Sequence, residues 1–226
     1  MSVSKAILDQ LPDSDISLLA SKWVERRYRA HQLVIEHGDS NCDVFFLLEG
    51  RARVTLFTEA GKEVAYQEMG QGDIFGELAG IDGKVRSASI VALEPALVAR
   101  LPQGLFRDFV RSNPGFAWIL LEHLSDRLRR MTNRVYEFST LMVRQRLICE
   151  LLRRAEGKWG ADGAALLDPA PTHVELAAYI STHREAVSRE MSALAKRRMI
   201  EKRGGSLVLL ERGTLELLAG KETDEE

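Results

Sequence analysis

Two cysteines in 226 residues, Cys42 and Cys149, stand far apart and in neither a CxxC nor a Cys/His spacing, so the chain offers no disulfide framework and no zinc site. Long apolar runs are missing too: Val44–Leu48 and Ile119–Leu121 fall far short of the ~20 residues that cross a bilayer. The opening MSVSKAILDQLPDSD has no basic stretch followed by an apolar one, so nothing there marks export, and a cytoplasmic location without a membrane partner is expected. No Ser/His/Asp, Cys/His or metal-ligand spacing occurs, and an enzyme is not expected. Charge of one sign is absent as well, with 31 Lys plus Arg against 33 Asp plus Glu and a net charge of −2. What is present is an ordinary globular composition, 45% hydrophobic and 28% charged, which excludes a disordered chain and suits one large domain or two small ones.

The near-neutral total hides a gradient. Residues 1–118 carry 13 basic and 16 acidic side chains. Residues 184–203 hold seven basic side chains (Arg184, Arg189, Lys196, Arg197, Arg198, Lys202, Arg203) against three acidic ones. The segment Glu222–Glu226 offsets that excess and reads as a frayed acidic tail. A basic cluster is most often a solvated helix face, so its context decides what it does.

From His31 to Leu101 short alternating apolar runs are broken by turn residues at His37–Ser40, Glu49–Gly50, Glu59–Lys62, Gly70–Asp73 and Ile81–Lys84. That spacing predicts an antiparallel barrel or jelly roll. After Asn113-Pro114 the period changes: Ala117, Leu121, Leu124, Leu128, Met131, Val135 and Phe138 follow at spacings of 4 and 3, the pattern of a coiled-coil seam. A face that packs onto its own domain usually widens into neighbouring positions, so the strict spacing favours a partner helix and a homodimer formed through 117–138. A second helix is expected from Leu141 to Ala155, and Gly157–Pro171 reads as a loop.

Thr172-His173-Val174-Glu175 and Thr182-His183-Arg184-Glu185 then match the capping box twice. They bound an eight-residue helix, a brief turn and a second helix running to about Arg198, a helix-turn-helix. Beyond it, 199–210 predicts a strand, a Gly-Gly turn and a strand, a two-stranded wing. The expected architecture is therefore α+β: a sensor barrel over 1–116, a dimerisation helix over 117–140 and a winged helix-turn-helix over 141–226. Arg184, Glu185, Ser188 and Arg189 face outward on the second helix, while Val187, Met191 and Leu194 form its buried stripe. An arginine fork matches guanine O6 and N7 and a carboxylate accepts from cytosine N4, so this face can read a major groove. The lysines and arginines from Lys196 to Arg203 suit phosphates, which anchor without specifying. Two roles compete for Glu185, base reading and the cap.

Phe75 to Ala88, with Gly76-Glu77-Leu78 followed by Arg86-Ser87-Ala88, resembles the phosphate-binding cassette of cyclic-nucleotide domains. Together with the seam helix and the helix-turn-helix, the span from about His31 to Leu210 resembles the CRP/FNR family of bacterial transcription regulators. The chemistry fits, because a glycine permits close backbone approach, nearby N–H groups favour an anion and a buried arginine neutralises a cyclic phosphate. The resemblance implies a cyclic nucleotide as allosteric ligand, with no metal. Glu77 would accept from the ribose 2′-hydroxyl, and Arg86 and Ser87 would hold the phosphate. Gly76, Leu78 and Ala88 complete the cassette, with Val54, Tyr66 and Met69 as the apolar wall and Arg127, Met131 and Thr132 facing the purine. The best-known cAMP pattern has two consecutive hydroxyl residues where this chain has Met131-Thr132, and a thioether cannot replace the missing hydrogen bond. Adenine against guanine stays open, with cAMP slightly ahead of cGMP and a dual response allowed.

The same transfer places Arg184, Glu185 and Arg189 on the base edges of a TGTGA-like half-site and Thr172, His173 and His183 near phosphates. A two-fold dimer implies a palindromic operator in double-stranded DNA with half-sites about one helical turn apart, and RNA polymerase as a further partner. Ser181 stands in the turn where the family often has glycine, at a cost of ~1 kcal/mol if φ is positive there. Nucleotide is expected to act by extending and tightening the Val135–Thr140 end of the seam helix, which sets the spacing of the recognition helices. Two other readings remain: a nucleotide-binding module that controls a protein partner, and a same-fold regulator with a haem or redox effector. An iron–sulfur sensor of FNR type needs more cysteines than this chain has, and His31, His37 and His123 read as ordinary residues beside an intact cassette.

Overall fold

Most short apolar runs between His31 and Leu101 form strands. The computed structural model describes residues 6–57 and 63–220, so the turn at Glu59–Lys62 and the acidic tail lie outside the described residues. Strands β1 (Val24–Tyr28), β2 (Leu33–Ile35), β3 (Val44–Glu49), β4 (Ala52–Phe57), β5 (Glu63–Met69), β6 (Ile74–Phe75), β7 (Ser89–Ala92) and β8 (Ala96–Leu101) build two four-stranded antiparallel sheets. Their orders are β1-β8-β3-β6 and β2-β7-β4-β5.

The unbroken run at Val44–Leu48 has a physical reason, since β3 is covered on both faces. Phe45 and Leu47 join a core between the sheets with Ile35, Val54, Phe75 and Ile90. Val44 and Phe46 face the other way, into a second core with Leu19, Phe106 and Phe116. Those three come from α1 (Asp13–Ala20), α3 (Gln103–Ser112) and α4 (Pro114–Thr140), while α2 (Glu77–Asp82) lies between β6 and β7. Phe46 and Phe106 are fully buried, each worth about 3–5 kcal/mol against alanine.

Helix α4 starts as its sequence suggests. Pro114 takes the first helical position, where its missing N–H costs nothing, and Asn113 Oδ1 accepts from the Phe116 N–H at 2.9 Å. The helix runs 27 residues without a break. The chain divides into two compact units inside it, one ending at Arg129 and the other beginning at Arg130.

The second unit holds α5 (Val143–Arg154), β9 (Ala165–Leu167), α6 (His173–Tyr179), α7 (Arg184–Lys196), β10 (Ile200–Arg203), β11 (Ser206–Leu209) and α8 (Arg212–Leu218) around fully buried Leu147, Leu151, Leu176, Val187 and Leu215. Helices α6 and α7 with the β10-β11 hairpin form the winged helix-turn-helix. Two expectations need correction. The segment Gly157–Pro171 is not all loop, because Ala165–Leu167 pairs with β11 and makes the wing sheet three-stranded, β10-β11-β9. Ala165 and Leu167 are buried and Leu166 is exposed, an alternation too short to stand out in the sequence. The second capping box does not form either. Ser181 has φ of +53°, the turn runs one residue further, and His183 rather than Thr182 occupies the N-cap without a side-chain hydrogen bond.

Candidate functional site

Where β6 passes into α2, Gly76 adopts φ of +75°, a left-handed conformation that glycine takes at little cost. Space requires glycine as well, because a Cβ there would lie 2.6 Å from Arg86 Nη1. The close approach lets Nη1 donate to the Gly76 carbonyl at 2.9 Å. Arg86 Nη2 donates to Asn41 Oδ1 at 3.0 Å and to the Asp43 carbonyl at 2.6 Å. Asp43 is itself anchored, since its carboxylate accepts from the Arg100 guanidinium and from the Gln103 backbone N–H. The Phe45 ring covers Arg86 at 5.5 Å from Cζ.

Every one of those acceptors is neutral. Arg86 is 3% exposed, and its Nε is buried without a hydrogen-bond partner among the described residues. Burial pushes its pKa down, against the opposing influence of Cys42, Asp39, Asp43 and Glu77 nearby. A buried cation whose direct hydrogen bonds all go to neutral oxygens can still take an anion into contact, which a ligand phosphate would supply. Glu77, also buried, accepts through Oε1 from Arg127 Nη1 of α4 at 2.6 Å.

Gly76, Glu77, Arg86 and Arg127 line a small, solvent-open cavity. It brings together Val54, Gly76, Glu77, Leu78, Arg86, Ser87, Ala88 and Arg127 from the sequence reading. Its remaining walls are Phe75 and Ala79, which lie within the cassette span, and Ile35 and Ile90, apolar strand positions that no motif marks. Met69 is not at the cavity surface: it is 2% exposed and packs between the sheets. Tyr66 falls in β5, and its side chain lies outside the described residues. Met131 and Thr132 sit beyond the division of α4 and are not among the lining residues. Asn41 and Asp43, which hold Arg86, went unseen in the sequence because they act largely through a carbonyl and an amide that leave no motif. The floor of the cassette is fixed from α3, where Gln103 donates to the Ala79 and Gly80 carbonyls and Arg107 to those of Gly80 and Ile81.

In the second unit Thr172 caps α6 as expected, its Oγ1 accepting from the Glu175 N–H at 3.1 Å while Glu175 accepts from the Thr172 N–H. Arg184, Glu185 and Arg189 are exposed along one side of α7, with Ser188 partly buried beside them, and Val187, Met191 and Leu194 are buried. Because the second capping box is absent, Glu185 makes no hydrogen bond among the described residues and its carboxylate is open to a partner. His183 is exposed at the N-cap. His173 lies near two cations: burial first, then Lys202 and Arg184, lower its pKa. An imidazole, a guanidinium and an ammonium gathered at the starts of α6 and α7 and on the wing form a positive surface suited to phosphate. Arg144 of α5 braces α7 by donating to Glu190 at 2.6 Å.

Residues 25–113 match the cyclic nucleotide-binding domain family, and residues 145–218 match the Crp-like helix-turn-helix domain family. The cAMP-activated global transcriptional regulator CRP of Pasteurella multocida is 29% identical over 188 residues, covering 81% of this chain and 88% of that protein. The cyclic AMP receptor protein of Thermus thermophilus is 28% identical over 209 residues, covering 92% and 94%. Among solved structures, the c-di-GMP responsive global regulator CLP of Xanthomonas campestris shares the fold at a TM-score of 0.77, with 18% identity over 88% of this chain and 100% of that one. With a cyclic-nucleotide cassette in one unit, a winged helix-turn-helix in the other and relatives that align across both, the chain belongs to the CRP/FNR family of transcription regulators.

Proposed function

We propose that this protein is a homodimeric, sequence-specific DNA-binding regulator switched by a cyclic nucleotide, with cAMP slightly ahead of cGMP. One observation carries the ligand: Arg86, buried among neutral acceptors with Nε unpartnered, is a counter-charge site at the wall of a cavity. A cyclic phosphate supplies one negative charge and several acceptors, and Ser87 on the same wall adds a hydroxyl donor. Arg127 holds one Glu77 oxygen, which leaves the other to accept from a ribose 2′-hydroxyl. Relatives described as cAMP-activated and as a cyclic AMP receptor protein support the choice of ligand. The shared fold does not decide it, because the Xanthomonas regulator is described as responsive to c-di-GMP.

In this reading Arg184, Glu185, Ser188 and Arg189 address base edges of a palindromic operator. Thr172, His173 and His183 contact phosphates, and RNA polymerase is the further partner. Ligand acts through differential affinity for two arrangements of the dimer, transmitted along α4, on which Met131 and Thr132 are the proposed purine-facing positions. Calorimetric titration with cAMP and cGMP, paired with mobility shifts on DNA selected from random sequence, tests the reading. Arg86→Leu and Glu77→Ala are expected to lose nucleotide binding at least a hundredfold while staying folded. Arg184→Ala should keep nucleotide affinity and lose discrimination among sequences. No binding of either nucleotide at millimolar concentration overturns the assignment.

A further inference from the structure

Six charged side chains in the second unit form one connected cluster that neither the nucleotide cavity nor the base-reading face uses. At its centre Glu150 of α5 is 4% exposed. Its Oε2 accepts from Arg134 Nη2 of α4 at 3.2 Å and from Arg153 Nε at 3.2 Å, and its Oε1 accepts from Arg154 Nε at 2.9 Å. Arg153 also holds Glu137 of α4 through two nitrogens, at 2.6 and 3.1 Å. Arg154 Nη1 continues to Glu175 of α6 at 2.8 Å. Three guanidinium groups and three carboxylates balance, the condition under which buried ions are tolerated.

Helix α6 is gripped at both ends by this cluster. At its start Arg154 bonds Glu175, the same carboxylate that closes the Thr172 capping box. At its finish Arg134 Nη1 donates to the carbonyl of Tyr179, the last residue of α6, at 3.0 Å. The Tyr179 ring packs under both arginines, 4.8 Å from Arg154 Cζ and 5.8 Å from Arg134 Cζ. Apolar packing would tolerate a small rotation of α6 against α4, whereas forked hydrogen bonds between buried ions do not, because any slip leaves a charge uncompensated. The turn at Ser181 then passes the orientation of α6 on to α7.

We propose that Arg134 and Glu150 are positioning residues for DNA recognition: they lock the first helix of the helix-turn-helix to the last two turns of α4, so that whatever sets α4 sets α7. The inference rests on the nucleotide-switched reading above, in which Arg127, seven residues earlier on the same helix, meets the ligand. Separation of the two ends by one continuous helix makes the lock the step that converts a change at α4 into a change at the recognition helix.

The test measures affinity of the full-length protein for selected operator DNA and for random-sequence DNA, each with and without saturating cAMP. Three variants are compared with the wild type. Arg134→Lys keeps the charge but cannot bridge Glu150 and the Tyr179 carbonyl as a fork. Glu150→Gln removes the central charge. The double variant Arg134→Met/Glu150→Met removes one ion of each sign and keeps the cluster balanced, so it remains informative where Glu150→Gln alone unfolds. The cAMP-dependent gain in operator affinity is expected to fall at least tenfold in Arg134→Lys and in the double variant. Affinity for cAMP without DNA, and for random DNA, should stay within twofold of wild type. A purely structural role would instead lower Tm and weaken operator and random DNA together, and that result overturns the proposal. Variants that keep the full cAMP-dependent gain overturn it equally. A wild type with no cAMP-dependent gain removes the functional reading itself, and the proposal falls with it.

Discussion

His173 is held below the ordinary histidine value of 6.5 by burial and by the positive charges of Lys202 and Arg184. A DNA phosphate at that spot favours the charged imidazole, so the complex has the higher pKa and binding takes up a proton. Operator affinity should therefore rise as pH falls through the bound-state value and level off below the free-state value. His173→Gln should flatten that dependence, as measured by operator titrations between pH 5.5 and 8. In the free protein the unfolded chain binds the extra proton first, so His173 lowers fold stability as pH drops through 6.5 toward the depressed value. The cassette residues could be read in advance because GEL and RSA at that spacing are side-chain chemistry written in letters. Asn41 and Asp43 could not, since a backbone carbonyl has no letter. Val54 and Met69 looked equivalent as wall candidates, yet only packing decides which apolar side chain meets the cavity and which fills the core.

Helix α4 shows what periodicity can and cannot convey. Leu121, Leu128 and Val135, seven residues apart, are 56%, 69% and 65% exposed, whereas Leu124 between them packs against the sensor core. One half of the seam thus lies open to solvent, as a stripe that a second copy of α4 could cover. Leu128→Glu is expected to shift a dimer to monomer in sedimentation analysis and to lose operator binding, while each monomer keeps its fold because the position buries little of its own core. Helix ends were less legible. Thr172–Glu175 and Thr182–Glu185 are the same motif in the sequence, but only in the first is the threonine itself the extended N-cap that lets the box close. Positive φ at Ser181, which the family's frequent glycine there hinted at, moves the second start by one residue, a shift the capping-box letters do not show. Strand β9 escaped for a different reason: three residues carry too little alternation, and its partner β11 lies 40 residues further on. Helix α8 gave no boundary signal, its N-cap residue Glu211 being left-handed and without a cap hydrogen bond.

At the scale of the whole molecule the near-zero net charge conceals a division of labour between an acidic first half and a basic recognition element. Binding to DNA should therefore depend steeply on salt through the lysines and arginines of α7 and the wing, present in two copies in the proposed dimer. A drop of about 10³ in operator affinity is expected between 50 and 200 mM salt, the range for six to ten phosphate contacts. Affinity for cAMP should change less than tenfold over the same range, because Arg86 is buried where counter-ions do not screen it. A salt series on both equilibria separates the two sites by their slopes.

The burial of Arg86 has a consequence for the life of the protein as well as for its switching. In the proposed function, a nucleotide present at a hundred times its Kd adds about 2.7 kcal/mol to the stability of the unit that binds it. Copies without nucleotide open more often and meet proteases more often. In that reading the guanidinium proposed to hold the phosphate ties the turnover of the regulator, and its abundance, to the same metabolite.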